Sequence, residues 1–117
     1  MQSEEMRERT MEFALRVLDV VDSLPNSQKG RNIANQLCRA GTSVAANYRA
    51  ACRAKSRADF ISKLGTVEEE NDEVLFWLEL VVRSGTLPES RLTPLMEEAN
   101  EILSMVVASI RTAKRNR

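Results

Sequence analysis

The chain of 117 residues contains no histidine. That absence removes most metal sites, the serine and cysteine triads, and the side chain that most often acts as a general base near neutral pH. It also removes the Glu-x-x-His pairs from which ferritin-like di-iron bundles are built. Glycine and proline are scarce, at four and three, and none of the glycines forms a phosphate-cradling loop motif. There are two cysteines. Cys38 and Cys52 fall in one predicted helix, about 21 Å apart at the helical rise and far beyond disulfide reach. They read as small core residues of a reduced protein, and the expected location is the cytoplasm. No apolar run nears the length of a membrane span. The charged start MQSEEMRERT does not resemble a signal peptide. A chain of this length is expected to form one domain, residues 1–117, around one core.

No sign of charge dominates, since 17 Lys and Arg balance 17 Asp and Glu. The balance hides segregation. Residues 29–63 sum to +7 and residues 64–101 to −8, while the first 28 residues sum to −3 and the last 16 to +4. Basic and acidic sectors of this kind often pair, within a chain or between copies.

What is present is helical periodicity. The third segment is the longest: Phe60, Leu64, Val67, Asn71, Val74, Leu78 and Val81 follow at alternating spacings of four and three. Ile61, Leu75 and Val82 widen that heptad seam into a stripe that needs other helices to cover it. Ser56 suits the N-cap, with Asp59 placed to reach back as in a capping box, and Gly85 suits the C′ position. Helices are expected over about 3–23, 30–54, 57–84 and 88–113. The first buries Phe13, Ala14, Val17, Leu18 and Val21, and LPNSQKG (24–30) ends it as a turn. The second presents Ile33, Leu37, Ala40, Val44, Tyr48 and Ala51 on one face. Its Ala-rich character and Gly41 suggest close helix–helix approach, or a local bend. The fourth starts at Pro88 or Pro94, both suited to a first turn. Four stripes with short links predict an all-α, antiparallel up-down-up-down four-helix bundle.

The stretch VAANYRAACRAKSRADFISKLGTVEEENDEVLFWLEL (44–80), continued by LPESRLTPLMEEANEI, resembles the small bacterial "four helix bundle protein" family. That family includes proteins encoded in intervening sequences of large-subunit ribosomal RNA genes. It is related to the accessory variability determinants of diversity-generating retroelements. The resemblance implies the same bundle and a homopentameric ring. It further implies basic ring surfaces that engage RNA and a reverse transcriptase. Where many members carry N-I-A-E-G, this chain has Asn47-Tyr48-Arg49-Ala50-Ala51, losing an acid and a glycine and gaining an arginine.

The residues themselves offer one strong functional candidate. Arg31, Arg39, Arg49 and Arg53 fall within an arc of roughly 80° opposite the apolar face of the second helix. Lys55 and Arg57 extend the stripe. Thirteen of the 17 bases are Arg, whose planar guanidinium suits bidentate phosphate contacts. These six residues are the expected nucleic-acid surface, for RNA or DNA. The bland alternative pairs the stripe with the acidic run Glu68–Glu73 of a neighbouring helix or subunit, and a purely structural protein–protein adaptor would bury the stripe in a subunit interface. Phe76 and Trp77 lie off the strict seam and are expected at a subunit interface.

The other alternative is an Mg²⁺-dependent all-α nucleotide pyrophosphohydrolase. It would require Glu69, Glu70, Glu73, Glu98 and Glu101 to converge, although its second motif would ordinarily end in Asp. The preferred reading has no catalytic residues, metal or cofactor. Asn47 and Asn71 sit on apolar seams and are expected to hydrogen-bond across the core, conceivably to each other. Cys52 has basic neighbours in Arg49 and Arg53 but no base to activate it, and reads as core.

Overall fold

Four amphipathic helices line up in chain order in a computed structural model that describes residues 3–116. They are α1 (Ser3–Ser23), α2 (Gln28–Ala51), α3 (Arg57–Arg83) and α4 (Glu89–Arg115). Each packs on its sequence neighbours, and α4 returns to α1, so α1 and α3 lie diagonally, as do α2 and α4. The result is the expected antiparallel four-helix bundle, 48 × 22 × 20 Å. Every residue of the α3 seam from Leu64 to Val81 is buried, and Phe60 packs partly against the core. Phe13, Val17 and Val20 of α1, Leu37 and Val44 of α2, and Leu92 and Ile102 of α4 complete that core.

The helix ends follow local chemistry. Ser56 Oγ accepts from the Asp59 N–H at 3.0 Å, which caps α3. Asp59 reaches back one residue further than a capping box, to the Lys55 N–H at 3.2 Å. At the far end Thr86 N–H donates to Val81 C=O and Gly85 N–H to Val82 C=O. This is a Schellman closure, and it places Gly85 at φ +72°.

The expected bounds of the second helix need correction. Ser27, not Gly30, starts it: Ser27 is the N-cap and accepts from Gly30 N–H at 3.0 Å. The helix ends three residues earlier than expected, so Cys52 to Ser56 form the corner. Gly41 brings α2 onto α1 without a break in the helix. A Cβ there would lie 2.6 Å from Val17 Cγ1, and Val17 is stiff at χ1. Pro88 takes the N-cap of α4, while Pro94 stands inside the helix.

Candidate nucleic-acid interface

The arginine stripe of α2 divides into two halves with different employment. Arg31, near the N-terminus, donates to Asn26 Oδ1 at 3.0 Å and so braces the α1–α2 loop. Arg39, at mid-helix, meets Glu70 Oε2 of α3 at 2.8 Å and also bonds Glu73. The carboxylate of Glu70, followed by that of Glu73, pushes the Arg39 pKa up. Arg39 therefore pairs with the acidic run of the neighbouring helix within one chain, while Arg31 does not.

Past Arg39 the acids run out. Arg49 lies exposed on the last turn of α2, Arg53 and Lys55 lie exposed at the corner, and Arg57 lies exposed at the start of α3. None of these four side chains has an ion pair or hydrogen bond among the described residues. Residues 49–63 hold five bases and one acid. That acid, Asp59, is bonded by Lys63, which with the Lys55 N–H holds its carboxyl below the usual range. Arg49, Arg53, Lys55 and Lys63 border one shallow groove of about 360 Å³ together with Asp59, Ala46 and Ala50. The C-terminal dipole of α2 favours cations here, and Asp59 is the one acid in the groove. Its geometry offers exposed guanidinium and ammonium groups on a surface of small side chains.

Arg57 also stands at the rim of a second groove, about 640 Å³, where α1 begins and α4 ends. Met6, Phe60, Met105 and Val106 line it, with Tyr48 at its base. Tyr48 is buried, and burial followed by the neighbouring Cys52 thiol pushes its phenol up to about 12. Cys38 and Cys52 are free and half-buried; Cys52 packs against the core as expected and caps the C-terminus of α2, while Cys38 is not among the side chains packed on that core.

The five carboxylates of the pyrophosphohydrolase alternative do not converge. Glu70 and Glu73 face Arg39. Glu98 takes a bidentate contact from Arg9 at 2.7 and 2.8 Å, with Glu101 at 3.4 Å. Glu69 is exposed. No group of three acidic, cysteine or histidine side chains among the described residues is placed to hold a metal ion. The Arg9 hydrogen bonds hold the Glu98 carboxyl below its ordinary range, against a partial burial that raises it. A depressed carboxyl stabilises the fold above its unfolded pKa and loses that contribution as pH falls through the folded value. Wild type is expected to exceed Glu98→Gln by about 1.5 kcal/mol at pH 7. The gap should close below pH about 4. Urea denaturation of both proteins at pH 7 and pH 3 checks this, and a gap that persists at pH 3 would refute it.

The two seam asparagines part company. Asn71 is fully buried and its Nδ2 donates to Ala99 C=O of α4 at 2.7 Å, while its Oδ1 has no partner among the described residues. Asn47 is half-buried and bonds Ser43 C=O on its own helix at 2.9 Å. They do not pair with each other. The Arg39–Glu70 contact fixes the register of α2 on α3, and Asn47 lies eight residues past Arg39, about 12 Å along the axis.

Phe76 is 56% exposed and Trp77 packs partly against the core, the two rings meeting edge to face at 5.0 Å. Sequence reasoning missed three further exposed apolar side chains: Leu80, four residues past Phe76, and the pair Met11 and Leu15 on α1. A helical wheel places Leu80, Met11 and Leu15 opposite their own cores.

A protein-family model described as 23S rRNA-intervening sequence protein matches residues 2–108. The chain belongs to this family. A crystal structure of another protein, of unknown function and from the S23 ribosomal protein family of Bacteroides thetaiotaomicron, has the same fold at a TM-score of 0.88. The two are 33% identical over 95% of this chain and 99% of that one. No curated protein matches this chain. No helix among the described residues is long and apolar enough to cross a membrane.

Proposed function

We propose that the chain is a non-enzymatic, oligomeric helical-bundle protein of the cytoplasm that binds nucleic acid, RNA foremost, through Arg49, Arg53, Lys55 and Arg57. One observation supports this reading above others: four neighbouring exposed bases form no ion pair among the described residues while Arg39 of α2 forms two. Such groups release counterions from phosphates rather than from a neighbouring carboxylate. Arg31 and Arg39 belong to the same stripe but serve the fold first. The homopentameric ring implied by the family would repeat the patch and turn weak sites into avidity. Phe76 and Trp77 are the anchors proposed for the subunit contact. A reverse transcriptase or other nucleoprotein, as in retroelement relatives, is the protein partner this reading favours.

Fluorescence anisotropy with labelled single-stranded RNA tests it, at about 50 and 200 mM salt, with native mass checked alongside. Four phosphate contacts predict a log–log salt slope of about −3 per site, and Arg49→Ala/Arg53→Ala should halve it and weaken binding at least about tenfold. Absence of binding at low salt would sink the proposal, as would a double variant that binds normally. A double variant that no longer assembles would turn the arginines into assembly residues and favour the adaptor.

A further inference from the structure

The outer face of α1 has a composition that neither the core nor the basic cluster explains. At 100° per residue, Glu4, Glu8, Glu12, Asp19 and Asp22 fall within about 60° of the direction opposite the core, and no base does. Between them stand Met11, 45% exposed, and Leu15, 47% exposed, one helical turn apart. None of the five acids forms an ion pair among the described residues. Arg7 and Arg49 border the N-terminal end of this face across a groove they share with Glu4 and Glu8, yet no pair closes there. An i, i+4 apolar pair framed by acids of one sign is half of a helix-on-helix contact.

We infer that this face of α1 docks a cationic amphipathic helix of another protein, with large apolar side chains on Met11 and Leu15 and Lys or Arg against the flanking acids. Charge complementarity chooses the occupant. The other exposed apolar pair of this chain, Phe76 and Leu80 of α3, is flanked by Glu69, Asp72 and Glu79, and the one base beside it, Arg83, is already paired with Glu79, so a second copy offering that face would bring mostly like charges together. The cationic face of α2 carries Ala46 and Ala50 between Arg49 and Arg53, and alanine gives Met11 and Leu15 little to bury against. The partner must combine several cations free to face these acids with large apolar groups at helical spacing. The inference rests on other residues than the proposed RNA site and does not depend on it, although Arg49 borders the groove that Met11 also lines.

The probe is a fluorescent synthetic peptide of Leu and Lys, about five helical turns long (~18 residues), with Leu at i, i+3, i+4 spacing. A second peptide has the same composition in an order without an apolar face. The amphipathic peptide is expected to bind the full chain. Its affinity should fall at least about tenfold in Met11→Ser/Leu15→Ser, whose far-ultraviolet dichroism and native mass should match wild type. Leu80→Ser on α3, which leaves the proposed subunit anchors intact, should bind as wild type. Equal binding of the scrambled peptide would overturn the inference by reducing the contact to bulk charge. Loss of binding in the α3 variant alone would overturn it by moving the site. A fall in native mass of the α1 variant would show that a second copy covers this face, which also overturns it.

Discussion

Asn71→Asp is expected to destabilise the bundle by about 3–5 kcal/mol at pH 7, the cost of an uncompensated charge in an apolar interior. Asn71 is fully buried in the α3 seam between Val67 and Val74, and its amide already stands half-satisfied. Nδ2 donates to Ala99 C=O across to α4, and that bond vanishes in the carboxylate. Burial disfavours the charged form, so the folded pKa of the new carboxyl would lie above its unfolded value near 3.9. The deficit is then complete above the folded pKa and shrinks as pH falls toward and below the unfolded one. Asn71→Leu should behave differently. It removes the orphan acceptor and the donor together, and Ala99 C=O remains within α4, so the variant should lie within about 1 kcal/mol of wild type or above it. Urea denaturation of the three proteins at pH 7 and pH 4 separates the outcomes. If Leu costs as much as Asp, the amide is a net stabiliser and the orphaned Oδ1 does not matter.

The asparagine illustrates what was legible in the sequence. Its burial followed from a spacing of fours and threes, because period alone decides which side of a helix meets the core. Its partner did not follow, because a hydrogen bond across a bundle depends on the axial register of two helices. That register emerged only with Arg39 on Glu70. The same contact divided the arginine stripe. A wheel puts Arg39 and Arg53 on one face, yet only Arg39 is level with the acidic run of α3. Arg53 lies more than three turns further on, beyond the last carboxylate of that run. For the carboxylates, E-E-x-x-E and E-x-x-E do put side chains on one face of each helix. What the spacing lacked was the identity of the neighbour on that face, Arg39 for one motif and Arg9 for the other. Met11 and Leu15 were within reach of the same wheel, since nothing but helical angle is needed to see them opposite Phe13 and Val17.

Gly30→Ala is expected to lower stability by about 2–3 kcal/mol, although alanine is the better helix former by nearly 1 kcal/mol. The usual reason for glycine fails here, because φ at Gly30 is not positive. Space is the constraint. A Cβ at Gly30 would press into the Pro25 carbonyl, lying 2.9 Å from its carbon and 3.1 Å from the proline Cγ. That obstacle is backbone held by the turn that ends α1, so it cannot rotate away as the tip of a long side chain would. Relief requires shifting the 24–27 loop, which also carries the Ser27 cap and the Asn26 carbonyl side chain that Arg31 holds. Gly65→Ala supplies the control. Nothing lies within 4 Å of a Cβ there, so the propensity gain should appear unopposed as about 0.5–1 kcal/mol of added stability. Opposite signs for the two substitutions in urea denaturation would place the effect in the Pro25 contact. A gain at both positions would mean that the α1–α2 loop yields freely, and that Gly30 contributes to the turn chemistry rather than to the close approach of loop and helix.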